Sequence, residues 1–208
     1  TSYRSDATTP NILPNNAVLS MTEDHDNCLW IGTRNGLVCM DKRRGHFNTY
    51  HLKTEHSREI YALFTSRDGT VWIGTDDGVK SVDPKTRQFT YYGKKNTTIV
   101  GTDGKRIRWE DIKAKSFAED KHGNIFIGTW SKSLYRFDRR RHTMYKYDLP
   151  VNDQSVKTYE LMFDPHGRLW ISTWGGGIKC MTRPMSQREP GLVDMNNGDK
   201  NTDINYRV

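Results

Sequence analysis

Residues 69–79 read GTVWIGTDDGV, and close relatives of the phrase recur as NCLWIGTRNGL at 27–37, GNIFIGTWSKSL at 123–134 and GRLWISTWGGGI at 167–178. The phrase at 69–79 contains neither histidine nor cysteine, so its repetition calls for an architectural reading. Trp30, Trp72, Phe126 and Trp170 hold the same place in the four phrases, spaced 42, 54 and 44 residues apart. Such a period matches one small antiparallel sheet per repeat. The longest interval is an ordinary repeat carrying an insertion, supplied by the polar, Gly-containing stretch GKKNTTIVGTDGKRIRW at 93–109.

Each unit parses into four short strands with turn residues between them. In the second unit these are EIYALFTS (59–66), TVWIGT (70–75), GVKSVD (78–83) and QFTYY (88–92). Arg67-Asp68-Gly69 and Asp76-Asp77-Gly78 are hairpin signals, because glycine relieves the positive φ of a tight turn, and Asp83-Pro84 pre-sets another turn. Val71, Trp72 and Ile73 are consecutive and large, whereas a sheet with one wet face would alternate, so both faces of this strand must be covered. Gly74 then stands where a neighbouring backbone is expected to approach closely. Repeated four-stranded units buried on both faces favour blades packed around an axis over a linear solenoid, whose coils use fewer strands per turn.

The bulk numbers set outer limits. At 208 residues, with 34% apolar and 11% aromatic residues, the chain can build a core as one large domain or two small ones. No run reaches the ~18–20 apolar residues of a bilayer span. The N-terminus TSYRSDATTP has neither a starting Met nor the order of a signal peptide, so a piece of a longer chain or a mature product is expected. Cys28, Cys39 and Cys180 fit neither a disulfide framework nor a metal site. Cys28 and Cys39 fall on adjacent strands of one hairpin, as a bridged pair or as two small core residues.

The pattern of Asp, two or three turn residues, Leu-Trp-Ile-Gly-Thr, a Gly-Leu strand, Asp-Pro and Phe-x-x-Tyr resembles the two-component regulator propeller repeat. That resemblance covers roughly residues 2–182. It implies an all-β fold of propeller blades, four of them visible as four-stranded antiparallel repeats, in a fragment of a larger propeller. It also implies the periplasmic sensor half of a hybrid two-component system, of the kind Bacteroides-type gut bacteria use to sense plant or host glycans. Departures are Phe126 for Trp, Ser172 for Gly, Ser133 for the Gly before Leu134, and the lack of a Phe-x-x-Tyr strand after Met181. The expected units are the end of a preceding blade with its linker (1–17), blades at 18–51, 59–92, 112–147 and 156–182, an inserted loop (93–111), and a polar tail (183–208). Tyr3 would end the last strand of the preceding blade, and 204–208 could return as a strand. Alternatives to a fragment are a closed four-bladed ring, or open blade faces buried by self-association.

No catalytic constellation emerges. His25, His122 and His166 share one hairpin turn, His46 and His142 share another, and no His-x-His, His-Glu-x-x-His or Cys-x-x-Cys spacing points to a metal. Asp24, Asp68, Asp120 and Asp164 recur as turn residues rather than converging as a pair. The segment is therefore read as non-enzymatic, with no cofactor and no metal, and any phosphotransfer belongs elsewhere in the parent protein.

Topology locates a candidate surface. In an up-and-down blade the turn after the second strand and the linker after the fourth emerge on one rim, which carries Arg34, Asp76, Trp130 and Trp174. The insertion with Trp109 joins them, and loops on one rim of a rigid scaffold are where binding usually resides. Trp130 and Trp174 lie in turns one residue longer than the others, as if displayed to stack on a sugar ring, with Arg34, Asp76 and Asp77 as polar partners. The bland alternative is that each caps an edge between blades. The net charge of +7 gathers on the opposite rim, in Lys42-Arg43-Arg44, Lys85 with Arg87, and Arg139-Arg140-Arg141. Such turns are usually solvated, which leaves nucleic acid an unfavoured partner, and membrane attachment would come only through the parent protein. The leading reading is an oligosaccharide sensor. A protein-interaction scaffold and a lyase-type propeller enzyme follow it.

Overall fold

The computed structural model describes residues 2–5, 12–52, 58–110, 112–149, 157–181 and the backbone of 192–194. Strands account for all regular structure among them. The first blade is β1 (Val18–Glu23), β2 (Cys28–Thr33), β3 (Gly36–Asp41) and β4 (His46–Tyr50). The second is β5 (Ala62–Thr65), β6 (Val71–Thr75), β7 (Gly78–Val82) and β8 (Phe89–Tyr92). After β9 (Thr98–Val100) come the third, β10 (Ala114–Glu119), β11 (Ile125–Thr129), β12 (Ser133–Asp138) and β13 (Thr143–Asp148), and the fourth, β14 (Lys157–Phe163), β15 (Leu169–Trp174), β16 (Gly177–Met181) and β17 (Leu192–Asp194). Each blade is an antiparallel meander.

Two strands lie where the sequence shows none. Within the insertion, β9 adds to the third blade by pairing parallel with β13, Met144 opposite Ile99. The fourth blade is completed by β17, which pairs with β16 although no aromatic strand motif marks it. Tyr3 lies outside any strand and packs edge-on against Phe47, ring centroids 5.1 Å apart. The returning strand expected at 204–208 and most of the polar tail lie outside the described residues.

The core is a series of interblade layers. Trp30, Leu37 and Cys39 of the first blade meet Ile60, Val71 and Ile73 of the second. Trp72 and Val79 face the other way, onto Phe117, Ile127 and Phe137 of the third. Phe126 and Leu134 then meet Leu161 and Ile171 of the fourth. Trp72 therefore points to one neighbour while Val71 and Ile73 point to the other, which is why this strand does not alternate. Fully burying such side chains stabilises by roughly 1.5–3 kcal/mol each.

Each layer is locked at its hairpin. Trp30 Nε1 donates to Asp24 Oδ2 at 2.7 Å, and Trp170 Nε1 donates to Asp164 Oδ2 at 3.0 Å. In the second blade the equivalent acceptor is Ser66 Oγ, 3.1 Å from Trp72 Nε1, so Asp68 is not the counterpart of Asp24. Phe126 has no indole N–H, and Asp120 Oδ2 takes Asn124 Nδ2 instead, at 2.7 Å. The recurring aspartates thus satisfy buried donors, as buried polar groups must be satisfied.

Glycines in the phrase permit the close approach. A Cβ on Gly74 would lie 2.7 Å from the carbonyl oxygen of Ala114 in the next blade, and one on Gly32 would lie 2.8 Å from that of Ile60. In the fourth blade the residue is Ser172, whose hydroxyl accepts the Glu160 N–H at 3.1 Å.

Candidate functional site

The rim that carries the second-to-third turns is shaped by a repeated irregularity of the inner strands. The register slips between Val18 and Ser20, between Ala114 and Ser116, and between Thr158 and Glu160. The skipped residues are Leu19, Lys115 and Tyr159, and Tyr61 holds the matching place just before β5, its N–H bonded to Gly74 O at 2.9 Å. A bulge re-aims the side chain of its extra residue. Three of these four residues meet the turn residues in a continuous arc.

Along that arc, Arg34 Nε lies 3.5 Å from Glu59 Oε1. The Tyr61 hydroxyl rests against Glu59 and lies 2.9 Å from Asp76 Oδ2. Lys115 Nζ stands 3.5 Å from Asp76 Oδ1, over the Tyr61 ring, and 5.5 Å from the centroid of Trp130. Lys157 Nζ lies 4.6 Å above the same indole, and its backbone pairs with Trp174. Trp174 in turn meets Tyr159, ring centroids 6.3 Å apart. Cations over indole faces are attracted by the ring quadrupole. Burial lowers the pKa of Lys115 to about 8, against the opposing pull of Asp76. Burial, then hydrogen bonding to the Glu59 and Asp76 carboxylates, raises that of Tyr61.

The candidate residues have different fates. Trp174 is 64% exposed and Trp130 40%, whereas Trp30 and Trp72 are fully buried. Both exposed indoles sit in three-residue turns; Arg34-Asn35 and Asp76-Asp77 make two-residue turns. Arg34 and Asp76 lie on the arc. Asp77 is drawn inward, its Oδ1 2.6 Å from the buried Nζ of Lys80 and 2.5 Å from Thr75 Oγ1. Trp109 packs half-buried against the layer between the second and third blades. From the end of the insertion it is Glu110 that reaches the rim, lining a pocket of about 430 Å³ with Trp130, Lys113 and Lys132. Nothing in the sequence singles out Tyr61, Lys115 or Tyr159, because an inner-strand bulge leaves no signature in a single repeat, nor Lys157, which the packing of two blades brings over Trp130.

On the opposite rim the basic turns are not merely solvated. The Arg87 guanidinium lies 5.1 Å from the Trp30 ring centroid, and that of Arg139 5.4 Å from Trp72. Each arginine thus clamps the preceding blade, and Arg139 also pairs with Asp68 at 2.5 Å. Cys28, Cys39 and Cys180 are free and buried. Asp24, Cys28 and Cys39 cluster within 4.8 Å, but Arg87 stands 3.4 Å from Cys39 Sγ and 3.6 Å from Cys28 Sγ. Burial pushes the Cys39 thiol up to about 12, and the Arg87 guanidinium beside both sulfurs disfavours a second cation there.

The architecture is that of a β-propeller segment. Residues 12–35 and 55–77, in the region of the first two blades, match the family described as two component regulator propeller. The extracellular domain of a protein described as a hybrid two component system from B. thetaiotaomicron matches with a TM-score of 0.66 at 18% identity, over 92% of this chain and 23% of that one. A second such extracellular domain from the same organism gives 0.65 at 19%, over 87% and 25%. Virginiamycin B lyase from Staphylococcus aureus gives 0.66 at 16%, over 87% of this chain and 56% of that chain. No curated protein sequence matches the chain. At these identities the structural likeness establishes the fold, and the chain spans about a quarter of the Bacteroides domains and just over half of the lyase.

Proposed function

We propose that the chain is a non-enzymatic, ligand-sensing part of a two-component propeller sensor on the periplasmic side of the inner membrane. It binds an oligosaccharide on the rim of Trp130 and Trp174 and relays occupancy to a kinase outside this chain. The carrying observation is the contrast between two sets of tryptophans in equivalent blades. Trp30 and Trp72 in the strands are fully buried and Trp170 is half-buried, while Trp130 and Trp174 at the longer turns are exposed, Trp174 beside Tyr159. Exposed aromatic faces next to carboxylates and ammoniums suit a ligand with an apolar ring face and a hydroxyl edge. Relay requires that the ligand bind two blade arrangements unequally.

A glycan-array screen of the chain, followed by calorimetric titration of the hit, tests this reading. Trp130→Ala and Trp174→Ala should each weaken binding by about 1–3 kcal/mol, the scale of truncating an aromatic anchor, with little change in melting temperature. Unchanged affinity in both variants, or a loss of several degrees in both, assigns these tryptophans to structure and overturns the reading.

A further inference from the structure

The pocket beside Trp130 has a charge imbalance that names a ligand class. It lies between the end of the insertion and the face of the third blade that looks toward the second, and its volume of about 430 Å³ falls in the ~300–1,000 Å³ range of small-molecule sites. Its two carboxylates are already matched from within. Glu110 takes Lys146 Nζ at 2.6 Å and the Tyr135 hydroxyl. Asp148 takes Ser133 Oγ at 2.6 Å, with Lys146 Nζ 4.0 Å away.

The cations are in excess. Lys113, Lys132 and Lys146 line the pocket, and Lys157 stands over the indole on its border. Three lysines and two carboxylates thus line the pocket, and a fourth lysine stands over its indole. Among the described residues, Lys113, Lys132 and Lys157 make no salt bridge. Lys115, whose Nζ lies 5.5 Å from the Trp130 centroid, is matched by Asp76. Like charges gathered in a partly enclosed site repel, and an anion entering there relieves the repulsion, whereas a neutral sugar relieves none of it. The matched carboxylates keep free lone pairs for sugar hydroxyls, and the Trp130 indole supplies a surface for a ring.

We infer that this site takes an anionic oligosaccharide, its carboxylate or sulfate group held by Lys113, Lys132 and Lys157 and a ring against Trp130. The inference rests on the reading of the rim as an oligosaccharide site and narrows it to acidic sugars.

The test is an array of acidic oligosaccharides, with oligogalacturonides, oligoglucuronates and sulfated chondroitin and heparin disaccharides printed beside carboxyl-reduced or desulfated counterparts. Neutral plant and host glycans complete it, and hits are titrated against the 208-residue chain. At least one acidic member should bind about tenfold or more tightly than its neutralised counterpart, the scale of one charge-assisted hydrogen bond. Its affinity should fall as salt rises from ~0.05 to ~0.5 M. Lys113→Ala with Lys132→Ala should abolish that preference, while the arginine replacements retain it. The paired ligands separate carboxylate from sulfate recognition and need only the wild-type chain. Hits that are neutral and depend on Trp130 overturn the acidic preference and leave the oligosaccharide reading standing, as does acidic binding indifferent to carboxyl reduction and desulfation. Binding of no glycan of either kind overturns both.

Discussion

Gly74→Ala tests the interblade packing that positions the rim. The new Cβ would lie 2.7 Å from the Ala114 carbonyl oxygen and 3.2 Å from both its carbonyl carbon and its Cβ. Carbon–oxygen contacts normally close to ~3.3 Å, so the two blades must part by about 0.6 Å. The obstruction is backbone, held in the β10–β11 ladder, and cannot swing aside as a side chain would. Parting the blades loosens Trp72 from Phe117 and Phe137, whose rings lie 6.5 and 5.7 Å from it. Overpacking of this kind costs ~1–3 kcal/mol, and the rigid neighbour puts Gly74→Ala at about 2–3. Gly93 is the control. A Cβ there meets nothing within 4 Å, so Gly93→Ala should stay within about 0.5 kcal/mol. Urea denaturation of both variants beside the wild type measures the difference, and a domain of this size should lose ~2–4 °C of Tm per kcal/mol. Equal stability of the two variants would refute the close approach at Gly74.

Two further predictions concern pH. Lys115 should lose its proton near pH 8 rather than at its ordinary value of 10.5. Between those values the unfolded chain holds more protons than the folded one, so the contribution of Lys115 to stability rises with pH across that window. The Trp130 indole resonance should report a step near pH 8 that disappears in Lys115→Met, and a single midpoint above pH 10 would contradict the burial argument. Asp68 has the same sign in an acid window, because its folded-state pKa is also lowered. Burial alone would raise its pKa, but hydrogen bonds from Ser66, Thr70 and Arg139 together prevail and hold it at about 2, below the ordinary 3.8. Its contribution is therefore present above about pH 4 and lost as pH falls toward 2. Urea midpoints should fall more steeply over that interval in the wild type than in Asp68→Asn, and parallel slopes would remove the Arg139 clamp from the account.

The blades were legible in the sequence because what builds them is local. A hairpin needs its turn residues within a few positions of its strands, and a strand covered on both faces must spell a run such as Val71-Trp72-Ile73. The repeat also marked Gly74 as a point of backbone approach, and the alternation of strand direction put Arg34, Asp76, Trp130 and Trp174 on one rim. What only the tertiary structure decided is non-local. The bulges that aim Lys115 and Tyr159 alter side-chain direction without altering residue type. The pairing of β9 with β13 joins segments separated by the third blade's first three strands. Asp77 lies on the predicted rim yet turns inward, because a buried ammonium three residues away must be matched. Arg87 and Arg139 read as surface charge until the indole of a preceding blade is placed beneath each of them. The pocket's charge excess arises in the same way, from lysines at 113, 132, 146 and 157 whose proximity the packing of two blades and an insertion creates.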